Sequence, residues 1–146
     1  MAAPPFRLRG LDHVVLLVRD MAEALDFYEK VIGCTVDREL PRLAMTQLRT
    51  GASLIDLVDI GSEHGQWARP ASDGGRNMDH LCIAVDDCDE QAMREHLERN
   101  AVPIVEEGIR YGATGDGMSY YVEDPSGNRI ELKCTPSGSA KQVTGE

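Results

Sequence analysis

Two histidines and two acids in this chain recur in a pattern that could gather around one metal ion. His13 follows Asp12 and opens an apolar run to Val18, and His80 follows Asp79 and opens a second apolar run to Val85. The offset is 67 from His13 to His80, from Val18 to Val85, from Asp20 to Asp87 and from Glu23 to Glu90. Each copy closes on an apolar-acid-apolar triplet, Ile55-Asp56-Leu57 and Ile130-Glu131-Leu132. An acid inside an apolar strand is costly unless it is paired or coordinated. Two half-domains with one imidazole and one carboxylate apiece therefore offer His13, Asp56, His80 and Glu131 as candidate ligands. Such donors are borderline to hard, suited to a divalent Fe, Mn, Ni, Co or Zn ion and poor for Cu(I).

The same two acids are the candidate catalytic groups. Glu131 or Asp56 would move a proton alpha to a carbonyl, which calls for a pKa high enough to accept it. Asp56 is one methylene shorter than a glutamate and reaches less far. A solitary strand histidine is usually a packed rim residue, and it is the duplication of the Asp-His pair that argues for ligation. Neighbouring strand side chains alternate, so Asp12 and Asp79 are expected to face away from the histidines. Glu123 and Asp124 read as solvated or turn-forming.

The elements that must position these groups repeat as well. Leu11 to Val18 reads as a buried strand. Asp20 can cap the following helix, with Glu23 three residues on. Met21, Leu25, Tyr28 and Ile32 recur at helical spacing, and Gly33 suits a left-handed stop. Strands follow at about residues 34–40, 43–49 and 52–59, broken at Pro41 and at Thr50-Gly51. The second repeat has a strand over 80–85, a helix capped by Asp87, and strands at about 104–109, 118–122 and 129–133. The glycines from Gly112 to Gly117 read as one loop, and residues 124–128 as the last turn. The expected organisation is a first βαβββ module over 8–60, a linker or lid over 61–77, a second module over 78–135 and a flexible tail over 136–146. The linker is long for a compact domain, and Trp67 is expected to pack it onto the sheet.

Composition narrows the functional classes. A chain of 146 residues matches one domain or two small packed modules. The net charge of −10 would repel phosphate backbones and anionic membranes, which argues against nucleic acid and membrane partners. No apolar stretch has the length of a membrane span, and the N-terminal residues lack the apolar core of a signal peptide. We therefore expect a cytoplasmic protein. Cys34, Cys82, Cys88 and Cys134 show no Cys-x-x-Cys spacing. They are expected to be reduced, with Cys82 and Cys134 as small core residues.

Two segments carry a family resemblance. Residues 11–21 read Leu-Asp-His-Val-Val-Leu-Leu-Val-Arg-Asp-Met, and 24–33 read Ala-Leu-Asp-Phe-Tyr-Glu-Lys-Val-Ile-Gly. The closing segment, residues 112–132, ends in Glu-Asp-Pro-Ser-Gly-Asn-Arg-Ile-Glu-Leu. They resemble the vicinal oxygen chelate superfamily (glyoxalases, bleomycin-resistance proteins and extradiol dioxygenases), and most of all glyoxalase-domain-containing proteins. The resemblance implies an α+β fold of two paired βαβββ modules, an eight-stranded cupped sheet with helices on its outer face, often as a homodimer. It carries the ligand positions onto His13, His80 and Glu131, with Asp56 where glyoxalases usually place Glu. Glyoxalase I enzymes tend to hold glutathione with an arginine near the first histidine. Here the position four after His13 is Leu17, with Arg19 nearby, so glutathione is not implied.

Three functions follow as expectations. The leading one is a metal-dependent glyoxalase-like lyase or isomerase that acts on a small oxygenated substrate through a metal-stabilised enediolate. The second is an Fe(II) extradiol-type dioxygenase built on His13, His80 and Glu131, with Tyr120 or Tyr121 as a proton donor. The third is a metal-free small-molecule binding protein of the bleomycin-resistance kind.

Overall fold

The computed structural model describes residues 11–68 and 78–135. The tails, and residues 69–77 of the expected linker, lie outside the described residues. Eight strands divide into two four-stranded mixed sheets. In the first module β1 (His13–Val18) is followed by α1 (Met21–Phe27), β2 (Thr35–Leu40), β3 (Met45–Thr50) and β4 (Ser53–Asp59). In the second, β5 (Leu81–Val85) is followed by α2 (Glu90–Arg99), β6 (Glu106–Gly112), β7 (Gly115–Glu123) and β8 (Arg129–Cys134). The sheets have equivalent orders, β1-β4-β3-β2 and β5-β8-β7-β6. The first and last strands of each module pair in parallel and the remaining pairs are antiparallel. This is the paired βαβββ architecture.

Local chemistry sets the element ends. Asp20 caps α1, its carboxylate accepting from the Glu23 N–H at 3.0 Å. The helix then widens into a π-helical turn over Tyr28–Ile32 and stops at Gly33, whose φ of 93° is left-handed. The second helix departs from the expected repeat. Its cap is Asp89, which accepts from the Ala92 N–H at 3.1 Å. Asp87 instead takes a left-handed backbone with φ 52°, so the helix begins two residues later than the 67-residue offset implied. The Gly112–Gly117 stretch also differs from expectation. The pairing of β6 with β7 runs on to Gly112 and Gly115, so only the hairpin turn remains of the expected loop.

One face of each sheet is apolar, and both share one core. Leu16, Val18, Leu48, Ile55 and Leu57 of the first sheet cluster with Ala24, Phe27 and Tyr28, with Leu97 of α2, and with Val122, Ile130 and Leu132 of the second sheet. The helices cover these apolar faces. The opposite faces carry polar strand residues, among them Gln47, Asp56, Ser119, Glu131 and Lys133. Trp67, in the 3₁₀ turn Glu63–Ala68, donates its indole N–H to the Leu43 carbonyl at 3.0 Å, which attaches this turn beside the first sheet. Among the described residues no helix is long and apolar enough to cross a membrane.

The modules are joined through the last turn. Tyr28 donates its hydroxyl to Asp124 Oδ2 at 2.8 Å, and Asn128 Nδ2 donates to the Leu17 carbonyl at 3.1 Å. Arg19 donates its backbone N–H to Ser126 Oγ and its guanidinium to the Pro125 carbonyl. Arg19 is therefore a structural clamp. Asp124 does form the turn, but it is buried, not solvated.

The cysteines correct a second expectation. Cys88 and Cys134 are joined in a disulfide with a Cα–Cα distance of 5.5 Å, and Cys82 is exposed. Cys-x-x-Cys spacing was an incomplete guide because this bridge spans 46 residues. Cys82 lies one residue out of phase with Leu81 and Ile83, the core-facing positions of β5.

Burial and the neighbouring Asp124 charge push the Tyr28 phenol well above its usual pKa, so its hydroxyl remains a donor. Tyr28→Phe is expected to lose about 1.5–3 kcal/mol of stability, the worth of a buried hydrogen bond to a charged group. Denaturant unfolding of both proteins measures it.

Candidate metal centre

Strand alternation and register place the donors. Val15 is opposite Asp56 in the parallel pair of β1 and β4, and His13 lies two residues before Val15. His13 and Asp56 thus share the open face of the first sheet. Cys82 is opposite Glu131 in the pair of β5 and β8, and His80 lies two residues before Cys82. His80, Cys82 and Glu131 share the open face of the second sheet.

His80 and Glu131 meet directly, with Nε2 to Oε1 at 3.1 Å. Glu131 is buried at 5% exposure, and its other oxygen accepts from Ser119 Oγ at 2.6 Å. Burial pushes the Glu131 pKa up, but hydrogen bonds from Ser119, Tyr121 and Cys82, with the charge of His80, outweigh it and leave a net lowering. Glu131 is therefore held as a carboxylate, a shift in the direction opposite to the raised value expected of a proton-accepting acid. Partial loss of water around the sulfur, and then Glu131 itself, push the Cys82 thiol up to about 11, so Cys82 is a neutral thiol that donates to the acid. Tyr121 completes the surround, its ring edge-on to His80 at 5.4 Å. Tyr120 is on the helix-covered face of the sheet, buried and stacked beneath Arg94, away from this group.

Asp56 is at 2% exposure. Its Oδ2 accepts from Gln47 Nε2 at 3.0 Å, and Gln47 in turn accepts from Arg38 Nε at 3.0 Å, a ladder across three strands. The Asp56 Oδ1 atom is buried and has no hydrogen-bond partner. Such an acceptor is costly to bury unless something else satisfies it.

The aspartates beside the histidines do not face away. Asp12 Oδ2 is 2.8 Å from His13 Nδ1, and Asp79 Oδ2 is 2.7 Å from His80 Nδ1. Both aspartates precede the strands, so strand alternation does not govern them, and each carboxylate folds back onto its neighbour. Each ring thus has Nδ1 engaged by its aspartate, and His80 turns its Nε2 to Glu131. A carboxylate on the second ring nitrogen is the usual way a protein orients a metal-binding imidazole. The Asp12 hydrogen bond, followed by the Asp56 charge, raises the His13 pKa above 6.5.

His13 and His80 line one cavity of about 590 Å³, along with Leu54, Met78 and Cys82. The structure thus brings His80 and Glu131 into contact and sets His13 on the same cavity. Asp56 is beside His13 on the first sheet. Among the described residues, no three His, Cys, Asp or Glu side chains form a ready metal cluster. Ser119, Cys82 and Gln47 were missed from the sequence. Ser119 and Tyr121 are two apart on β7, and their exposure to Glu131 depends on a strand register that only pairing reveals.

The Glyoxalase/Bleomycin resistance protein/Dioxygenase superfamily model matches residues 10–132. The chain belongs to this superfamily. It is 33% identical over 126 residues to the Glyoxalase domain-containing protein RDO1 of Mycosarcoma maydis, covering 86% of this chain and 68% of that protein. It is 29% identical over 131 residues to Lactoylglutathione lyase of Neisseria meningitidis serogroup B, covering 86% and 91%. The crystal structure of Virulence protein STM3117 from Salmonella typhimurium superposes with a TM-score of 0.72 at 28% identity, covering 90% and 100%. The superfamily thus includes enzymes.

Two of the shifted groups, Glu131 and His13, have opposite pH consequences. Glu131, with its lowered pKa, stabilises the fold above its ordinary value of 4.5, and that stabilisation is lost as pH falls through the folded value. In chelator, the stability gap between the natural chain and Glu131→Gln is therefore expected to narrow in acid, read by thermal melts across pH. For His13 the raised value favours the fold below 6.5 and the contribution fades as pH rises through the folded value.

Proposed function

We propose that this protein is a divalent-metal-dependent enzyme of the glyoxalase type, which moves a proton alpha to a carbonyl of a small oxygenated substrate. The observation that carries this reading is the His80–Glu131 contact at 3.1 Å, with the Asp-His orientation duplicated around the shared cavity. The similarity to a relative named Lactoylglutathione lyase supports the reaction class.

The donor chemistry fits a divalent cation. His80 and Glu131 would hold it, joined by His13 and by Asp56, whose buried Oδ1 lacks a partner. When bound, such an ion polarises a carbonyl and offsets developing negative charge on its oxygen. The rest is work for the protein. Asp79 and Asp12 fix the ring orientations, and Ser119 and Cys82 hold Glu131 as an anion. Because Glu131 is stabilised in that form, proton transfer falls to Asp56 in this scheme. The apolar lining of the cavity, Leu54 and Ile83 among it, would exclude water from the reacting centre.

We also read the protein as a homodimer. Val15, 44% exposed, and Leu11, 83% exposed, flank His13, and a second copy covering them would add donors to each half-site. Sedimentation of a single species at monomer mass would end that part of the reading.

His80→Ala is expected to lower affinity for the bound metal by at least about 10-fold, the lower end of what even outer-shell changes cost. Elemental analysis of protein purified without chelator measures it. Full metal content and unchanged turnover in His80→Ala would refute the proposal.

A further inference from the structure

We propose that Lys133 forms an oxyanion-binding subsite on the same sheet face as Glu131, for a carboxylate or phosphate group of the substrate. Lys133 is 2% exposed, and it sits on the open face because it is opposite Ala84 and Ser119 and two residues from Glu131. Burying an ammonium costs several kcal/mol unless a counter-charge meets it. Three other cations on or beside this sheet have one. Arg94 pairs with Glu107, Arg110 with Glu106, and Arg129 with Glu106 and Glu123. Lys133 is the most buried of the four, and among the described residues its Nζ is paired with no carboxylate. Its hydrogen bond is to the neutral Thr114 hydroxyl at 2.7 Å.

The residues that flank the ammonium are small. Two glycines of the β6–β7 hairpin border the side chain: a Cβ at Gly112 would meet Lys133 Cε at 3.6 Å, and one at Gly117 would meet Nζ at 3.5 Å. Ala84, on the neighbouring strand, is also small and exposed. The Thr114 hydroxyl accepts from Nζ and keeps its own proton, so it can donate to the same anion. Glu131 takes its hydrogen bond from Ser119 and its ion pair from His80. The ammonium is left for something from outside. An oxyanion meets this demand, since charge-assisted hydrogen bonds to an ammonium are about twice as strong as neutral ones.

The proposal deepens the metal-dependent reading by giving its substrate a second, anionic group. The Cα atoms of Glu131 and Lys133 are roughly 7 Å apart along the strand, and the Lys133 side chain reaches further toward the β6–β7 hairpin. The anionic group would therefore be remote from the oxygens at the metal.

Lys30, Lys133 and Lys141 are the chain's lysines, so labelling lysine with ¹³C at Cε gives few signals. The whole protein, stripped of metal by chelator, would be titrated with inorganic phosphate and separately with succinate. The Lys133 signal is expected to move saturably with at least one of them while Lys30 does not. Whichever anion acts identifies the group recognised. By calorimetry, Lys133→Met is expected to bind that anion at least about tenfold more weakly, and Lys133→Arg to retain binding. An unmoved Lys133 signal with both anions, or equal binding by Lys133→Met, would overturn the proposal. The labelled natural chain answers the question even where Lys133→Met does not fold. Because metal is absent throughout, failure here leaves the metal reading intact, and loss of metal in His80→Ala leaves this result intact.

Discussion

Asp124 joins the two halves of this molecule. It accepts the Tyr28 hydroxyl from the first module, the backbone N–H groups of Ser126 and Asn128, and the Asn128 side-chain amide. These bonds close the turn into β8 and hold the C-terminal end of the first helical segment against it. Asn128 passes the connection on to the Leu17 carbonyl of β1. The strands that carry His13 and Glu131 are therefore coupled through one buried carboxylate. A buried charge with all these donors is well compensated, and any one loss would leave a neighbour unsatisfied.

Around that junction the sheets divide their labour by face. Alternation sends Leu16, Ile55, Ile130 and Leu132 into a shared core, and sends His13, Asp56, Cys82 and Glu131 to the opposite faces. The acids are therefore buried by other polar groups, not by the core. Glu131 is kept ionised by hydrogen bonds from Ser119, Tyr121 and Cys82 and by the charge of His80. Asp56 receives one hydrogen bond and retains an unsatisfied oxygen. Two acids at equivalent places in a duplicated fold have thus acquired different environments.

Much of this was legible in residue order. The duplicated element order, the period of the strands and the Asp20 cap were readable from local pattern, and the structure reproduces them. Where local reasoning failed, a longer-range contact intervened. The expected cap at Asp87 gave way to Asp89, beside the bridge from Cys88 to Cys134, whose partner is 46 residues away. Asp12 and Asp79 were expected to point away because strand alternation was extended back beyond where the strands begin, by one residue at Asp12 and two at Asp79. Asp124 read as an ordinary turn acid because Tyr28 is 96 positions distant in sequence.

The amino-acid order by itself determined which residues alternate onto one strand face, and hence that a histidine and an acid belong to each half. That follows from the two-residue period of a strand and needs no partner. Tertiary structure alone decided which of these groups touch. It set His80 against Glu131, left Asp56 with a vacant oxygen, and buried Lys133 without a carboxylate. Those outcomes depend on pairing register and on side chains contributed by neighbouring strands, and neither is encoded in the spacing of any single segment.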